Sequence, residues 1–352
     1  MMRMLDEPAR TTAMTAGTGR TAQRATLKTI ADLTGLSLST VSLALRGGSR
    51  LKAETQKRVT EAAAELGYVP DRAGVRLRTG KTNVVALALQ HAAETIDFAR
   101  YLIQGIGQAV EGTRYHLNIM PDFEHSDPLR SIRHILDNRL ADGLIVTHTS
   151  ARDPRVQLMM DYDFPFVTHG RTEFYSPHAY HDFDSESFVR LALDRLATLG
   201  KRRVLLVVGS EATHNFHLIN VAYRRIAAEL GLDATLVSEK VAGSTADQMR
   251  AYGLALARDP KRPAGIICDS ELRSLCMIAG LEEAGIIAGR EIHFICKQTA
   301  GLLPALHPTI DTIEEDVLAA GAELTRLLLE RIAGKSPAAL QTLGTPIIHW
   351  RS

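Results

Sequence analysis

From residue 83 onwards, short apolar runs alternate with amphipathic segments, and this alternation limits the possible folds more than any other feature of the sequence. The runs are rich in Val, Ile and Leu, as is typical of strands that are buried on both faces. The segments between them carry apolar residues at helical spacing. Strands joined by helical crossovers form parallel sheets with helices on both faces. The predicted strands are 84–89, 117–120, 143–146, 165–167, 203–208, 264–267 and 292–295.

The amphipathic segments predict the helices of the same region. These helices are 96–110, 129–138, 185–199, 221–230, 245–257 and 272–284, and a last strand and helix fall within 310–333. In open parallel sheets a ligand binds at the carboxyl ends of the strands. Polar residues that follow a predicted strand are therefore candidate ligand contacts.

Charge is distributed unevenly along the 352 residues, although the net charge is only +1. Residues 1–81 hold 14 Lys and Arg against 7 Asp and Glu, a net charge of +7, whereas the rest holds 27 against 33, a net charge of −6. A small basic module beside an acidic body is typical of a protein that binds a polyanion. Charge alone also fits a solvated basic surface that has no partner.

The N-terminal residues and the cysteines bear on the compartment. Residues 1–25 contain few large apolar residues, which predicts a disordered tail and excludes the apolar stretch of a signal peptide. No apolar run is long enough to span a membrane. The three cysteines, Cys268, Cys276 and Cys296, form no CxxC pair and suit a reducing cytoplasm. We therefore expect a cytoplasmic protein.

Residues 26–66 predict three short helices. Thr26 can cap the first helix, which Gly35 ends, and Ser37 can cap the second one directly afterwards. The third helix spans about 52–66. Two helices joined by such a short turn, with a third beside them, form a helix-turn-helix unit. The residues predicted to face its core are Val41, Ala44, Leu45, Val59, Ala62, Ala63 and Leu66.

The stretch Thr26-Leu-Lys-Thr-Ile-Ala-Asp-Leu-Thr-Gly-Leu-Ser-Leu-Ser-Thr-Val-Ser, followed by Tyr68-Val-Pro and Leu77-Arg-Thr-Gly-Lys-Thr, closely resembles the headpiece and hinge of the lactose-repressor (LacI) family of bacterial transcription regulators. The resemblance extends more weakly over the rest of the chain. It implies a helix-turn-helix DNA-binding domain over 26–70 and a hinge helix with its linker over 71–82. It also implies that residues 83–352 form a two-lobed sensor of the periplasmic-binding-protein type, which holds an effector between its lobes and mediates dimerisation.

The resemblance also implies which residues contact DNA. In the family the second helix lies in the major groove, so Leu38, Ser39 and Leu43 would read base edges. Thr40 and Ser42 would hold phosphates, and Thr26 and Ser37 are also predicted to contact DNA. Two alternatives remain open: Leu38 and Leu43 as core residues, and Ser37 and Ser39 as helix caps alone.

In the hinge helix, Leu77 matches the family leucine that wedges between base steps in the minor groove. One helix-turn-helix reads few bases, so the family binds palindromic operators through two-fold symmetric subunits. The chain ends without the heptad helix of the tetrameric members. A homodimer on a palindromic duplex is therefore the expected complex.

For the sensor, the resemblance and the predicted strand ends indicate the same region. Phe98 matches an aromatic residue that stacks on the effector, although a core role remains open. Polar groups that donate and accept are what a polyhydroxylated ligand needs, and sugars are the commonest effectors of the family. Cys296-Lys297-Gln298 stands where the family usually has Gly-x-Asp, so the resemblance does not indicate that this chain binds the effector of a known member. The other candidates are His148, His169, Arg171, Asp184, Thr213, Asn215, Ser270, Glu271 and Gln298.

Two other functions remain compatible with the sequence: a small-molecule-binding protein without a DNA function, and a cytosolic α/β enzyme acting on a sugar. The basic three-helix module counts against the first. Against the second, the sequence holds no catalytic, cofactor or metal motif. Gly105 and Gly107 fall inside a predicted helix and indicate helix packing. We therefore expect a repressor controlled by a small molecule, without enzymatic activity, cofactor or metal.

Overall fold

The structure is a computed structural model that describes residues 25–46, 51–69, 72–90, 96–122 and 127–351. The chain divides into two compact units, Met1–Gly80 and Lys81–Ser352. The predicted tail up to residue 24, and Asp71 at the start of the predicted hinge helix, lie outside the described residues. None of the helices described is long and apolar enough to cross a membrane.

The described residues of the smaller unit form four helices, α1 (Leu27–Thr34), α2 (Leu38–Ala44), α3 (Ala53–Glu65) and α4 (Arg72–Thr79). Thr26 caps α1, and Gly35 ends it with a φ angle of +67°. A side chain is strained at this angle, which explains the glycine at the turn. Ser37 then caps α2 by accepting from the backbone N–H of Thr40 at 3.2 Å. Capping groups thus set the short turn that the sequence predicts.

The first three helices share one small apolar core. Its buried residues are Ile30, Ala31, Val41, Ala44, Val59, Ala62 and Ala63, and Leu45 and Leu66 pack against them. The guanidinium of Arg58 on α3 donates to the carbonyl of Thr34 at 2.8 Å and so ties α3 to the end of α1. The predicted core residues of α2 and α3 are confirmed.

The larger unit alternates strands and helices along almost its whole length. In chain order its elements are β1 (Val84–Gln90), α5 (Ile96–Val110), β2 (His116–Asp122), α6 (Arg130–Asn138), β3 (Gly143–Val146), α7 (Pro154–Asp161), β4 (Phe166–His169), β5 (Ala179–Phe183), α8 (Ser185–Thr198), β6 (Arg203–Val208), α9 (His214–Glu229), β7 (Asp233–Ser238), α10 (Glu239–Ala242), α11 (Ala246–Arg258), β8 (Gly265–Cys268), α12 (Glu271–Glu283), β9 (His293–Gln298), α13 (Leu302–Leu306), β10 (Asp311–Glu314), α14 (Val317–Ile332), β11 (Gln341–Gly344) and β12 (Ile347–His349). A short 3-10 helix at Pro337–Ala339 precedes β11.

These strands form two six-stranded sheets, one in each lobe. The first lobe has the order β11-β5-β4-β3-β1-β2, and the second has β12-β10-β9-β8-β6-β7. Neighbouring strands are parallel, except that β12 runs antiparallel to β10. Each sheet is buried on both faces, because alternate residues of its strands enter different apolar clusters. The predicted two-lobed parallel α/β body is confirmed.

The chain passes between the lobes at three places. It leaves the first lobe between β5 and α8, returns between β10 and α14, and crosses again between β11 and β12. The backbone N–H of Asp184 donates to the carbonyl of Gly344 at 3.0 Å, so two of these crossings lie side by side. The carboxyl ends of both sheets therefore meet beside the crossings.

Several sequence predictions of element boundaries were wrong. The helix predicted at 221–230 begins seven residues earlier, at His214, because Thr213 caps it and its first turn is polar. Strands β5, β7, β11 and β12 and helices α7, α10 and α13 were not predicted. Strand β5 carries His181 and Asp182, and β7 is an exposed edge strand. Neither therefore contains the continuous apolar run from which strands were predicted.

A close helix crossing in the first lobe explains Gly105. A Cβ atom at Gly105 of α5 would overlap the carbonyl oxygen of Leu318 on α14, whereas a Cβ atom at Gly107 would meet open space. The helix-packing interpretation is confirmed for Gly105 and is wrong for Gly107.

We expect Gly105→Ala to lower the free energy of unfolding by about 1–3 kcal/mol, as overpacking does. Gly107→Ala is the matched control and should raise it by roughly 0.5–1 kcal/mol, because alanine loses less backbone entropy in a helix. Urea unfolding followed by circular dichroism measures both. Equal stability of the two variants would contradict the close crossing.

Candidate DNA-binding helix and effector cleft

Helix α2 presents polar and apolar side chains on its exposed side. The Ser37 hydroxyl lies 2.8 Å from the hydroxyls of both Ser39 and Thr40. Leu38 is 52% exposed, so it is not a core residue. Leu43 is half-buried and lies outside the apolar cluster of the unit. An exposed leucine beside a row of hydroxyls offers apolar contact for thymine methyl groups and donors for phosphates.

The other predicted DNA contacts lie on three different elements. Thr26 forms a reciprocal pair of backbone-to-hydroxyl hydrogen bonds with Thr29 at the start of α1. The backbone carbonyl of Ser42, on α2, accepts from Arg46 at 2.7 Å. Leu77, on α4, is 90% exposed. An apolar side chain so exposed on a short helix is available to a partner.

Three aromatic rings meet between the carboxyl ends of the first lobe's strands and helix α5. The Phe98 ring lies edge-on to the rings of His148 and His169, with centroid distances of 5.5 and 5.0 Å. His148 follows β3 and His169 ends β4. Phe98 also packs against the core of the lobe, so both interpretations of this residue fit its position.

A chain of charges joins this ring cluster to the second lobe. Glu315, 4% exposed on the crossing between β10 and α14, accepts from His169 Nε2 at 3.0 Å. Its other oxygen pairs with the Lys297 ammonium from β9. The Lys297 ammonium also lies 4.4 Å from the Phe183 ring centroid. Lys297 and His169 hold the pKa of the Glu315 carboxyl well below its usual range, although burial acts in the opposite direction.

Two further hydrogen bonds close the lobes on each other. The backbone N–H of His214, at the start of α9, donates to the carbonyl of Thr149 at 2.8 Å. The hydroxyl of Tyr101 on α5 donates to the carbonyl of Ala300 at 3.4 Å. In this structure the two lobes are therefore in contact across the cleft.

The remaining predicted effector residues follow strand ends or end a strand, but several have partners within the protein. Arg171 pairs with Asp182 at 2.7 Å, and Asn215 accepts from the hydroxyl of Ser185 at 2.6 Å. Gln298 accepts from the hydroxyl of Thr312 at 2.8 Å. The side chains of Asp184, Thr213 and Ser270 cap helices α8, α9 and α12.

Glu271 has the most complete set of internal partners. Its side chain is 6% exposed and accepts backbone N–H groups of Thr299, Ala300 and Leu303 at 3.0, 2.5 and 3.1 Å. This carboxylate therefore holds the loop that follows β9.

Sequence reasoning missed Glu315 and Arg155. Glu315 stands among three consecutive acidic residues, and no local pattern distinguishes it from its neighbours. Arg155 lies in a helix that was not predicted and is 5% exposed. An arginine in an Asp-Pro-Arg helix start would have been the signal, because that aspartate can both cap the helix and pair with the arginine.

Burial sets the protonation of the histidines of the first lobe. Burial, together with the nearby His169, Arg155 and Lys297, lowers the pKa of His148 to about 4. Burial also lowers the pKa of His178 to about 4; its ring is stacked on Phe166 at 5.8 Å. These imidazoles are therefore neutral at pH 7, so each can donate and accept a hydrogen bond. Among the described residues, no group of three or more His, Cys, Asp and Glu could hold a metal ion.

A capped, exposed helix in a small basic unit, joined to a two-lobed body with a polar and aromatic cleft, defines a ligand-responsive DNA-binding protein. Residues 26–71 match the family of bacterial regulatory proteins, lacI family, and residues 193–352 match a periplasmic binding protein-like domain. The chain is 31% identical over 329 residues to the HTH-type transcriptional regulator AglR of Rhizobium meliloti, and the match covers 90% of each chain. It is 30% identical over 337 residues to the HTH-type transcriptional regulator RafR of Escherichia coli, covering 92% of this chain and 96% of that one.

Solved structures show the same fold. The lac repressor dimer bound to operator and the anti-inducer ONPF has a TM-score of 0.80 at 18% identity, covering 94% of this chain and 98% of that one. The transcriptional regulator CelR in complex with cellobiose has a TM-score of 0.68 at 21% identity, covering 93% and 99%. The chain belongs to the LacI family of bacterial transcription regulators. It is a DNA-binding regulator and not an enzyme.

Stability should fall as the pH is lowered from about 6.5 to about 4. In this window the unfolded chain binds protons at His148 and His178 that the folded chain does not, because their folded pKa values are near 4. His178→Phe should flatten the pH dependence of the melting temperature. His134→Gln, at an exposed position, is the control and should leave it unchanged. Parallel curves for wild type and His178→Phe would contradict the assignment.

Proposed function

We propose that the protein is a repressor that binds a palindromic operator as a homodimer, and that a sugar in the cleft controls this binding. Residues 26–70 would be the DNA-binding domain, 71–82 the hinge and linker, and 83–352 the effector-binding and dimerisation domain. The exposure of Leu38 on the capped helix α2 is the observation that carries the DNA-binding part. The protein would act in the bacterial cytoplasm, where its DNA target lies.

The surface of α2 suits sequence-specific contact. Leu38, Ser39 and Leu43 would meet base edges, with the two leucines against thymine methyl groups and Ser39 forming a hydrogen bond. Thr26, Ser37, Thr40 and Ser42 would contact phosphates, which fix the position of the helix without reading the sequence. Two such helices related by a two-fold axis would require a palindrome.

The cleft suits an uncharged, hydroxyl-rich ligand. Phe98 offers an apolar ring, and the neutral imidazole of His148 can both donate and accept. The other contacts would come from His169, Arg171, Asp184, Thr213, Asn215, Ser270, Glu271 and Gln298. The CelR structure is a complex with cellobiose, and a relative in Escherichia coli, 24% identical over 272 residues, is the maltose regulon regulatory protein MalI. These names support a saccharide as the effector.

The three crossings between the lobes support control by the effector. A ligand held by residues of both lobes stabilises the arrangement in which those residues are close together. The ligand shifts DNA binding only if the DNA-bound form prefers a different arrangement of the lobes.

Selection of bound sequences from randomised duplex DNA at fixed salt tests the DNA-binding proposal. We expect an enriched palindrome, and Leu38→Ala should lose preference at one base pair of each half-site, a cost of roughly 1–3 kcal/mol. Leu33→Ala removes an equally exposed leucine, 54% against 52%, from α1 and should keep the palindrome. Leu77→Ala should weaken specific binding more than nonspecific binding. Enrichment without two-fold symmetry, or the same result for Leu33→Ala and Leu38→Ala, would contradict the proposal.

Thermal melting with a panel of neutral sugars, including cellobiose and maltose, tests the effector proposal. A bound sugar should raise the melting temperature in a concentration-dependent way. Phe98→Leu keeps apolar volume but removes the ring, so it should abolish the shift. Phe174→Leu changes an aromatic residue that packs against the core formed by α6 and α7, and it should keep the shift. An undiminished shift in Phe98→Leu, or no shift with any sugar, would refute a saccharide site at this position.

A further inference from the structure

The loop between β3 and α7 carries His148 in a conformation that side chains rarely adopt. The φ angle of His148 is +54°, in the left-handed region. This angle persists only where the surrounding structure enforces it. The same residue presents its ring to Phe98, at 5.5 Å between centroids. The backbone conformation of His148 therefore decides where one wall of the cleft lies.

The side chain of Arg155 holds this backbone from behind. Its Nη2 group donates to the carbonyls of Thr147 and His148, each at 3.1 Å. The Thr147 carbonyl belongs to the peptide bond that precedes the Cα atom of His148, and the His148 carbonyl belongs to the peptide bond that follows it. The guanidinium therefore fixes the peptide planes on both sides of this Cα atom. Arg155 is 5% exposed, so water does not compete for these bonds.

A buried aspartate fixes the guanidinium in turn. Asp153, 2% exposed, accepts from Arg155 Nε at 3.0 Å and from Nη2 at 2.7 Å. The same carboxylate accepts the backbone N–H groups of Arg155 and Ser150 at 2.9 and 3.1 Å. Arg155 and Asp153 thus connect the start of α7 to the whole loop. Lysine could not replace this geometry, because an ammonium group lacks the planar fork that reaches a carboxylate and two carbonyls together.

We propose that Arg155 is a positioning residue for effector recognition, which holds the left-handed backbone of His148 and thereby sets the imidazole beside Phe98. Arg155 does not itself contact the effector. This inference rests on the proposed effector site in the cleft. It adds that recognition depends on a buried guanidinium behind the site, at a position that was not among the predicted effector residues.

The first test needs no ligand. The full-length protein is labelled with ¹³C-histidine, and His148→Gln assigns the His148 resonance. In Arg155→Lys the His148 resonance should move, because the ring leaves its place beside Phe98, and its pKa should rise from about 4 towards its ordinary value. Arg195→Lys is the matched control, since Arg195 pairs with the buried Asp311 in the second lobe at 2.8 Å. It should leave the His148 resonance in place. An unchanged resonance in Arg155→Lys would overturn the proposal.

The second test is a double-mutant cycle with cellobiose and maltose, measured by isothermal titration calorimetry. For whichever sugar the wild type binds, Arg155→Lys should weaken binding about tenfold, and Arg195→Lys should not weaken it. Because Arg155 acts through His148, adding Arg155→Lys to His148→Ala should weaken binding no further than His148→Ala alone. Additive losses would show a general structural effect and overturn the proposal.

The two proposals fail in different ways. If neither sugar binds the wild type, the saccharide assignment fails for these probes, while the histidine spectra still decide whether Arg155 positions His148. If Arg155→Lys does not fold, Asp153→Asn replaces it in both tests, because it keeps the helix cap but weakens the hold on the guanidinium. An unmoved His148 resonance in that variant would also overturn the proposal.

Discussion

The arrangement of the two lobes depends on the buried carboxylate of Glu315. A charge at 4% exposure must be paired, because desolvation would otherwise exceed any gain from burial. Its two partners come from opposite lobes, His169 from β4 and Lys297 from β9. Separating the lobes would leave a buried charge without one of its partners. The cleft is thus closed by an interaction that is directional as well as strong, which limits the ways in which the lobes can move.

The polar residues at the strand ends of the body serve the fold and the cleft together. Asp184, Thr213 and Ser270 each cap the helix that follows a strand or a strand-end loop. A parallel strand that feeds a helix needs such a cap at the edge of the sheet where ligands bind. A polar residue at this position is therefore expected on structural grounds alone. The rings of Phe98, His148 and His169 cap no helix, and in the proposed effector site their contacts with one another would form part of the binding surface.

The sequence predicted the elements whose signal is local, and it failed where the signal is distant or polar. Capping residues and core spacing predicted the three helices from Thr26 onwards, and Val/Ile/Leu runs predicted the central strands. Strand β5 was missed because its His181 and Asp182 are polar, although both are buried. In the cleft, His148 and His169 were found because they follow or end apolar strands. Glu315 lies 146 residues from His169 in the chain, and a pairing over that distance leaves no periodic pattern.

The same pairing involves a segment in which the chain differs from what the resemblance implies. The resemblance implies Gly-x-Asp at the end of β9, whereas the chain has Cys296-Lys297-Gln298, so a neutral amide stands where the resemblance implies a carboxylate. The Lys297 cation has a buried partner in Glu315, and Gln298 is satisfied by the hydroxyl of Thr312 at 2.8 Å. The three residues therefore form a self-consistent set within the second lobe and the crossing. In the proposed effector site, recognition would then depend more on the aromatic side of the cleft, where the guanidinium of Arg155 donates to the carbonyls of Thr147 and His148.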